Sequence, residues 1–193
     1  ANTTGDRNTA IGKDALGANT TGSKNVAIGE NALLLNTTAD DNTAVGVGAL
    51  DANTTGANNT ALGRNTLTDN TTASNNTAVG ASALLSNTTG TQNTAVGSLA
   101  LQTITTSSTC AAFGYSALKL TTAGQNSGFG AYALSANSTG TQNTAVGYQA
   151  LRQSTTADNN TAVGWRSMDA NTTGAENTAI GKQALFANTT GNN

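Results

Sequence analysis

Residues 76–92 read NTAVGASALLSNTTGTQ, and this unit of 17 residues recurs along the whole chain. The interval between copies is 17 residues throughout, except for one interval of 16 after Cys110. The copies begin at Asn8, Asn25, Asn42, Asn59, Asn76, Asn93, Cys110, Asn126, Asn143, Asn160 and Asn177. A short constant period indicates that each copy is one structural unit, too small to fold alone and stable only when stacked on its neighbours. The sequence therefore predicts a solenoid.

The distribution of residues within one copy favours β-structure. If the copy is numbered from its first Asn, positions 1–5 and 8–11 predict two short strands. Positions 6–7 and the N-T-T-G stretch at 12–15 predict turns, where Asn and Gly supply left-handed backbone. A helix over positions 8–11 would be about one turn long, too short to persist. We therefore expect an all-β, parallel β-solenoid (β-roll) of eleven rungs over residues 8–193. Residues 1–7 are interpreted as the tail of a preceding copy, and residues 93–142 as an irregular region.

Four columns of recurring residues predict how the rungs stack. Position 4 is a large apolar residue and position 9 is Leu or Met, so both are expected to fill the interior, while Asn at positions 1 and 12 is expected to form ladders between rungs. Position 3 is almost always Ala and position 5 is always Gly, which predicts a smooth outer strip where other copies of the chain could approach. We therefore expect self-association as a homotrimer. Representative column members are Val45, Val79 and Val146, Leu50, Leu84 and Leu151, and Asn42, Asn76 and Asn143.

Composition argues against several classes of function. The net charge of −2 comes from scattered residues, so nucleic acid is not an expected partner. No apolar run reaches membrane-spanning length, so membrane insertion by this segment is not expected. The chain has no His and a single Cys, and it lacks both the G-x-S-x-G elbow and the calcium signature G-G-x-G-x-D. We expect no enzyme activity, catalytic residue, metal or cofactor. Neither end has an atypical capping copy, which predicts a segment of a longer fibre.

The repeated motif resembles a known class of surface proteins. Asn76-Thr77-Ala78-Val79-Gly80 resembles the S-V-A-I-G-type repeats in YadA-like heads of trimeric autotransporter adhesins. The phrase from Asn143 to Leu151, NTAVGYQAL, is similar to repeats of phage tail-fibre-like and bacterial surface proteins that often end in an endosialidase-type chaperone domain. The resemblance implies a left-handed parallel β-roll, usually trimeric, that forms an exposed rod and attaches to a host surface. It places the chain outside the cell, on the cell surface or in a virion fibre. The period of 17 residues is longer than in that family.

Two other functions remain open on the sequence. Columns of Thr at positions 2, 13 and 14 suggest an ice-binding solenoid. Tyr115, Tyr148 and Trp165 share position 6 and suggest an exposed edge that recognises glycan or protein, although scattered surface aromatics would give the same pattern. Phe113 and Phe129 fall in the position-4 column and are predicted to be core. Cys110 replaces the first Asn of its copy, which favours a packed small residue over an interchain disulfide or a reactive thiol.

Overall fold

The computed structural model describes residues 2–192 and consists of one parallel β-sheet with turns. Each copy contributes one strand of three residues, and each strand pairs with the next in sequence order. Thr77, Ala78 and Val79, for example, lie beside the same positions of the following copy. The strands are β1 Thr9–Ile11, β2 Val26–Ile28, β3 Thr43–Val45, β4 Thr60–Leu62, β5 Thr77–Val79, β6 Thr94–Val96, β7 Ala111–Phe113, β8 Ser127–Phe129, β9 Thr144–Val146, β10 Thr161–Val163 and β11 Thr178–Ile180. The predicted all-β parallel β-solenoid is confirmed.

The predicted second strand at positions 8–11 is wrong, because the chain turns there. All residues at position 9, from Leu16 to Leu185, have φ between 48° and 54°, which is left-handed backbone. In the copy beginning at Asn76, the amide of Ala83 donates to the Gly80 carbonyl at 3.2 Å, and the amide of Asn87 donates to the Leu84 carbonyl at 3.2 Å. Such local bonds define turns rather than strands. Leucine rarely adopts this backbone conformation, so the pattern of residue types did not reveal it.

The interior contains one column of large side chains, the position-9 leucines, and not the two columns that the sequence predicted. Leu50, Leu84 and Leu151 are fully buried, which confirms the predicted leucine column. The small residues of position 3 also point inward, and Ala78 is fully buried. A methyl group added at Gly128, which holds this position in its copy, would come within 3.3 Å of the Leu118 side chain. The space beside the leucine column therefore accommodates Ala and little more.

The prediction that position 4 fills the interior is wrong. Val45 and Val79 are half-buried on the outer side of the sheet, and Val146 is 37% exposed. Successive side chains of a strand point to opposite faces. With Ala inside at position 3, the residues at positions 2 and 4 must lie outside. The predicted smooth outer strip of Ala and Gly does not exist, and an apolar outer stripe stands in its place.

Both predicted asparagine ladders are present. At position 12, the side-chain amide of Asn36 donates to Oδ1 of Asn19 at 2.9 Å, and the bond repeats between following copies. At position 1, the backbone amide of Asn42 donates to Oδ1 of Asn25 at 3.0 Å, while its Nδ2 donates to the Gly56 carbonyl at 2.9 Å. Asn76 and Asn143 make the same bonds. Buried amide groups that would otherwise lose water are thereby satisfied.

Two corners of each copy are formed in different ways, one by a glycine with positive φ and the other by a side-chain hydrogen bond. Gly80 has φ +123°, and a Cβ placed there would lie 2.7 Å from the carbonyl carbon of Gly97, so position 5 requires glycine. The N-T-T-G corner has no positive φ between Asn87 and Gly90, contrary to the expected left-handed backbone. Instead, Nδ2 of Asn87 donates to the Gly90 carbonyl at 2.9 Å and closes the corner.

Candidate functional site

The three aromatic residues expected at one edge are all on the surface. Tyr115, Tyr148 and Trp165 are 41–47% exposed and follow directly after the position-5 glycines. The positive φ of those glycines turns the chain out of the sheet, so that position 6 projects from the corner. Because the corner repeats with every rung, the three side chains belong to the same edge of the solenoid.

Sequence reasoning missed a fourth member, Tyr132. Its ring packs edge-on against Tyr115 with 5.3 Å between ring centroids, and edge-on against Tyr148 at 6.2 Å. Tyr132 occupies position 7, where the backbone is left-handed at φ 60°. Its aromatic type was visible in the sequence. Its place between two position-6 rings was not, because the sequence predicted only that positions 6–7 form a turn and not how the turn directs their side chains.

Trp165 contacts a cluster of cationic side chains, whereas the three tyrosines pack against one another. The ammonium of Lys182 is 5.4 Å from the centre of the Trp165 ring, and the guanidinium carbon of Arg166 is 5.3 Å from it. Arg166 also lies 4.8 Å from the centre of the Phe186 ring. These distances are typical of cation–π contacts.

A fully buried carboxylate anchors this cationic cluster. Asp169 accepts hydrogen bonds from Nε of Arg152 at 2.8 Å and from Nε of Arg166 at 2.7 Å. Its side chain is completely buried, whereas those of Arg152 and Arg166 remain about one-third exposed. The two guanidinium groups thus provide the charge that a buried carboxylate requires.

A groove of about 270 Å³ opens beside Tyr115 and Tyr132. We call it the tyrosine groove. It is lined by Tyr115, Ser116, Lys119, Leu120, Tyr132, Ser135 and Ala136. These residues belong to positions 6, 7, 10 and 11 of the copies that begin at Cys110 and Asn126. The groove therefore lies within the predicted irregular region, residues 93–142.

Several polar groups of the tyrosine groove have no partner within residues 2–192. The hydroxyls of Tyr115, Tyr132, Ser116 and Ser135 make no hydrogen bond there, and no carboxylate lies within ion-pair distance of Lys119. The groove thus combines two aromatic walls and one leucine with hydroxyl groups and one ammonium. A concave site with apolar walls and a few polar groups is the usual form of a small-ligand site.

Phe113 and Phe129 contradict the prediction that they are core residues. They belong to position 4, point outward, and are 37% and 40% exposed. Their rings stack with 5.0 Å between centroids and 9° between planes. The stack lies on the outer face of the sheet, where two consecutive copies have phenylalanine at position 4 in place of an aliphatic residue.

The apolar outer stripe runs along the full sheet. It consists of Ile11, Ile28, Val45, Leu62, Val79, Val96, Phe113, Phe129, Val146, Val163 and Ile180. The position-2 residues, mostly Thr, form a parallel rank two residues away on the same face. No strand position carries a charged residue in any of the eleven copies. This face is therefore continuous, uncharged and largely apolar.

The threonine columns have different surroundings. Position-13 hydroxyls donate hydrogen bonds to the backbone of the next copy. For example, Oγ1 of Thr20 donates to the Thr37 carbonyl at 2.9 Å. Position-14 residues such as Thr89 are exposed at the corner. Position 2 forms an outward rank, but Val26, Ala111 and Ser127 interrupt it. Ice binding stays a prediction, which a measurement of thermal hysteresis at micromolar protein would test.

The described part of the chain does not bring together side chains that could hold a metal ion, and its single cysteine is buried. Across residues 2–192, no cluster of three or more His, Cys, Asp or Glu side chains is placed to hold a metal ion. Cys110 is buried, and burial raises the pKa of its thiol. Its amide takes the ladder bond of position 1, donating to Oδ1 of Asn93 at 3.0 Å. A thiol kept neutral is a poor nucleophile.

Nothing in this part of the chain resembles a membrane-spanning helix, since residues 2–192 contain no helix of sufficient length and hydropathy. In comparisons with known proteins, no family model, no curated protein and no solved structure matches the chain.

Proposed function

We propose that this chain is a structural repeat, a rod-like segment of an extracellular or virion fibre that serves surface attachment and associates with copies of itself as a homotrimer. The observation that carries the proposal is the apolar outer stripe. It extends over eleven rungs, about 50 Å at the usual strand spacing. Exposed apolar surface of this continuity is typical of interaction sites.

The chemistry of the stripe favours a second copy as its partner. Its face has no charged side chain, so it offers little to a charged ligand. An identical stripe would match it in length, spacing and polarity, because both repeat with the same rung. Association of like faces around an axis also gives the closed symmetry common in homo-oligomers. The left-handed roll and trimer implied by the adhesin resemblance belong to the same proposal.

Sedimentation equilibrium tests the proposal. The wild-type chain is expected to sediment as a trimer, and the triple variant Val45→Ser/Val79→Ser/Val146→Ser as a folded monomer. Leu35→Ser is the matched control, because Leu35 is an exposed apolar residue outside the stripe. A stable, folded, monomeric wild type at all concentrations would overturn the proposal, as would an unchanged trimer in the triple variant.

A further inference from the structure

We propose that the tyrosine groove binds a saccharide that carries a carboxylate, such as a uronic or sialic acid unit. This site is additional to the rod proposed above and does not depend on trimer formation. A monomeric solenoid would carry the same groove, because all the residues that line it come from two consecutive copies of one chain.

The aromatic walls suit the apolar faces of a sugar ring. Tyr115 and Tyr132 meet edge-on, which leaves ring surface open toward the groove. An aromatic face is electron-rich, and the C–H groups on one face of a pyranose carry partial positive charge. Leu120, at 48% exposure, extends the apolar wall. A saccharide can therefore bury a C–H face here without leaving its hydroxyls unsolvated.

The unpaired polar groups suit the other parts of the same ligand. Ser116, Ser135 and the two tyrosines supply hydroxyls that can each donate and accept, as sugar hydroxyls require. The Lys119 ammonium has no carboxylate partner within residues 2–192. A carboxylate on the saccharide would supply a charge-assisted hydrogen bond at that point.

The charge distribution along this edge also favours an acidic ligand. From residue 101 onward, all four Lys and Arg residues fall at corner positions 6, 7 or 10. They are Lys119, Arg152, Arg166 and Lys182. Asp169 is the single acidic residue at those positions in the same copies, and it is buried beneath two of the arginines. A carboxylated chain extending from the groove along the rod would pass Tyr148 and Arg152.

Single-stranded nucleic acid would also use rings and cations, but the groove fits it less well. Nucleic-acid affinity depends mainly on neutralising many phosphates. The protein has a net charge of −2, and the lining of the groove supplies a single cation, Lys119. The tyrosine rings contact one another edge-on, whereas successive bases need open parallel faces on which to stack.

Isothermal titration with matched probes tests the proposal. The probes are short oligogalacturonates, hyaluronan oligosaccharides and sialyllactose, each with its neutral counterpart (methyl ester or lactose), together with oligothymidylate. At least one carboxylated saccharide is expected to bind wild type, and its neutral counterpart about tenfold more weakly, the effect of one charge-assisted hydrogen bond. Lys119→Gln should lose that preference, and Tyr132→Ala should lose binding. Lys13→Gln, an exposed corner lysine in the first copy, is the control that should bind normally.

The following results would contradict the proposal. Failure of all three carboxylated probes to bind, equal affinity for acidic and neutral forms, or undiminished binding by Lys119→Gln would overturn it. Binding of oligothymidylate in preference to every saccharide would assign the groove to nucleic acid instead. Far-ultraviolet circular dichroism and the melting temperature of each variant show that lost binding is not lost folding.

Discussion

Asn137 and Ser154 occupy consecutive places in the position-12 ladder, and the bond between them is missing. Oδ1 of Asn137 and Oγ of Ser154 are both buried without a hydrogen-bond partner. Three copies earlier the same defect occurs, where Ile104 follows Asn87 and leaves Oδ1 of Asn87 unpaired. The unpaired atoms of the ladder thus occur where the repeated asparagine is replaced.

Restoring the ladder should stabilise the protein. In Ser154→Asn, the new Nδ2 can donate to Oδ1 of Asn137, and the new Oδ1 can accept from Nδ2 of Asn171, as in the intact part of the ladder. Satisfying a buried polar group contributes about 1–3 kcal/mol. We expect the free energy of unfolding in urea to rise by about that amount.

The control for this change is Thr156→Asn, at an exposed corner position of the same copy. It should alter the unfolding free energy by less than about 0.5 kcal/mol. A destabilised Ser154→Asn would contradict the claim that the ladder bonds hold the rungs together.

A pair of substitutions in one strand tests which face is inside. Ala78→Val adds two methyl groups to the filled interior and should cost about 1–3 kcal/mol. Val79→Ala removes atoms from the outer face and should cost less in the monomer. Urea unfolding of both variants at low protein concentration provides the comparison. The reverse order of the two effects would mean that Val79 is the interior residue.

The pH dependence of stability should contain a contribution from Asp51. Burial raises the pKa of its carboxyl group, and its Oδ1 is buried without a partner. The folded state therefore favours the protonated acid. The stability that this group contributes is present below its unfolded pKa, near 3.9, and is lost as the pH rises through the higher folded pKa.

Asp51→Asn removes this titration. The variant should gain stability over wild type as the pH rises from about 3 to 7, since 3.9 is the unfolded reference value. Urea midpoints of the variant and of wild type, measured across that range, give the difference in stability between them. The contributions of the other carboxylates cancel in this difference, because both proteins contain them. A difference that stays constant, or that shrinks with rising pH, would contradict the assignment.

The buried Asp169 should depend on both of its arginines. The double variant Arg152→Ala/Arg166→Ala leaves the carboxylate buried and unpaired, which should cost about 3–5 kcal/mol. Adding Asp169→Leu removes the unpaired charge, so part of the lost stability should return. Arg64→Ala, an exposed arginine in an earlier copy, serves as the control. The measurement is urea unfolding, and a triple variant no more stable than the double would contradict this explanation.

The sequence was sufficient for those features that follow from the period alone. A residue repeated every 17 positions stacks on itself, so the leucine column and the asparagine ladders could be predicted from Leu84 and Asn76. The period does not say which strand face is inside. Preference for burying the larger residue pointed to Val79, but folded proteins expose much apolar surface, and the narrow interior accepted Ala78.

Local backbone conformation limited the rest of the prediction. Left-handed φ was expected at Asn and Gly, whereas Leu84 and its equivalents adopt it in the turn that replaces the second strand. The same effect at Tyr132 brings a position-7 ring between two position-6 rings. The sequence located the aromatic edge, but the groove depends on this turn geometry.

Chemical crosslinking at the apolar outer stripe shows directly whether this rod associates with copies of itself through that face. The native thiol is first removed by Cys110→Ser, and a cysteine is introduced either as Val79→Cys on the stripe or as Thr89→Cys at an exposed corner outside the sheet. With a bismaleimide, we expect efficient covalent joining of chains through residue 79 and little through residue 89. Equal joining at both sites, or none at residue 79, would contradict this expectation.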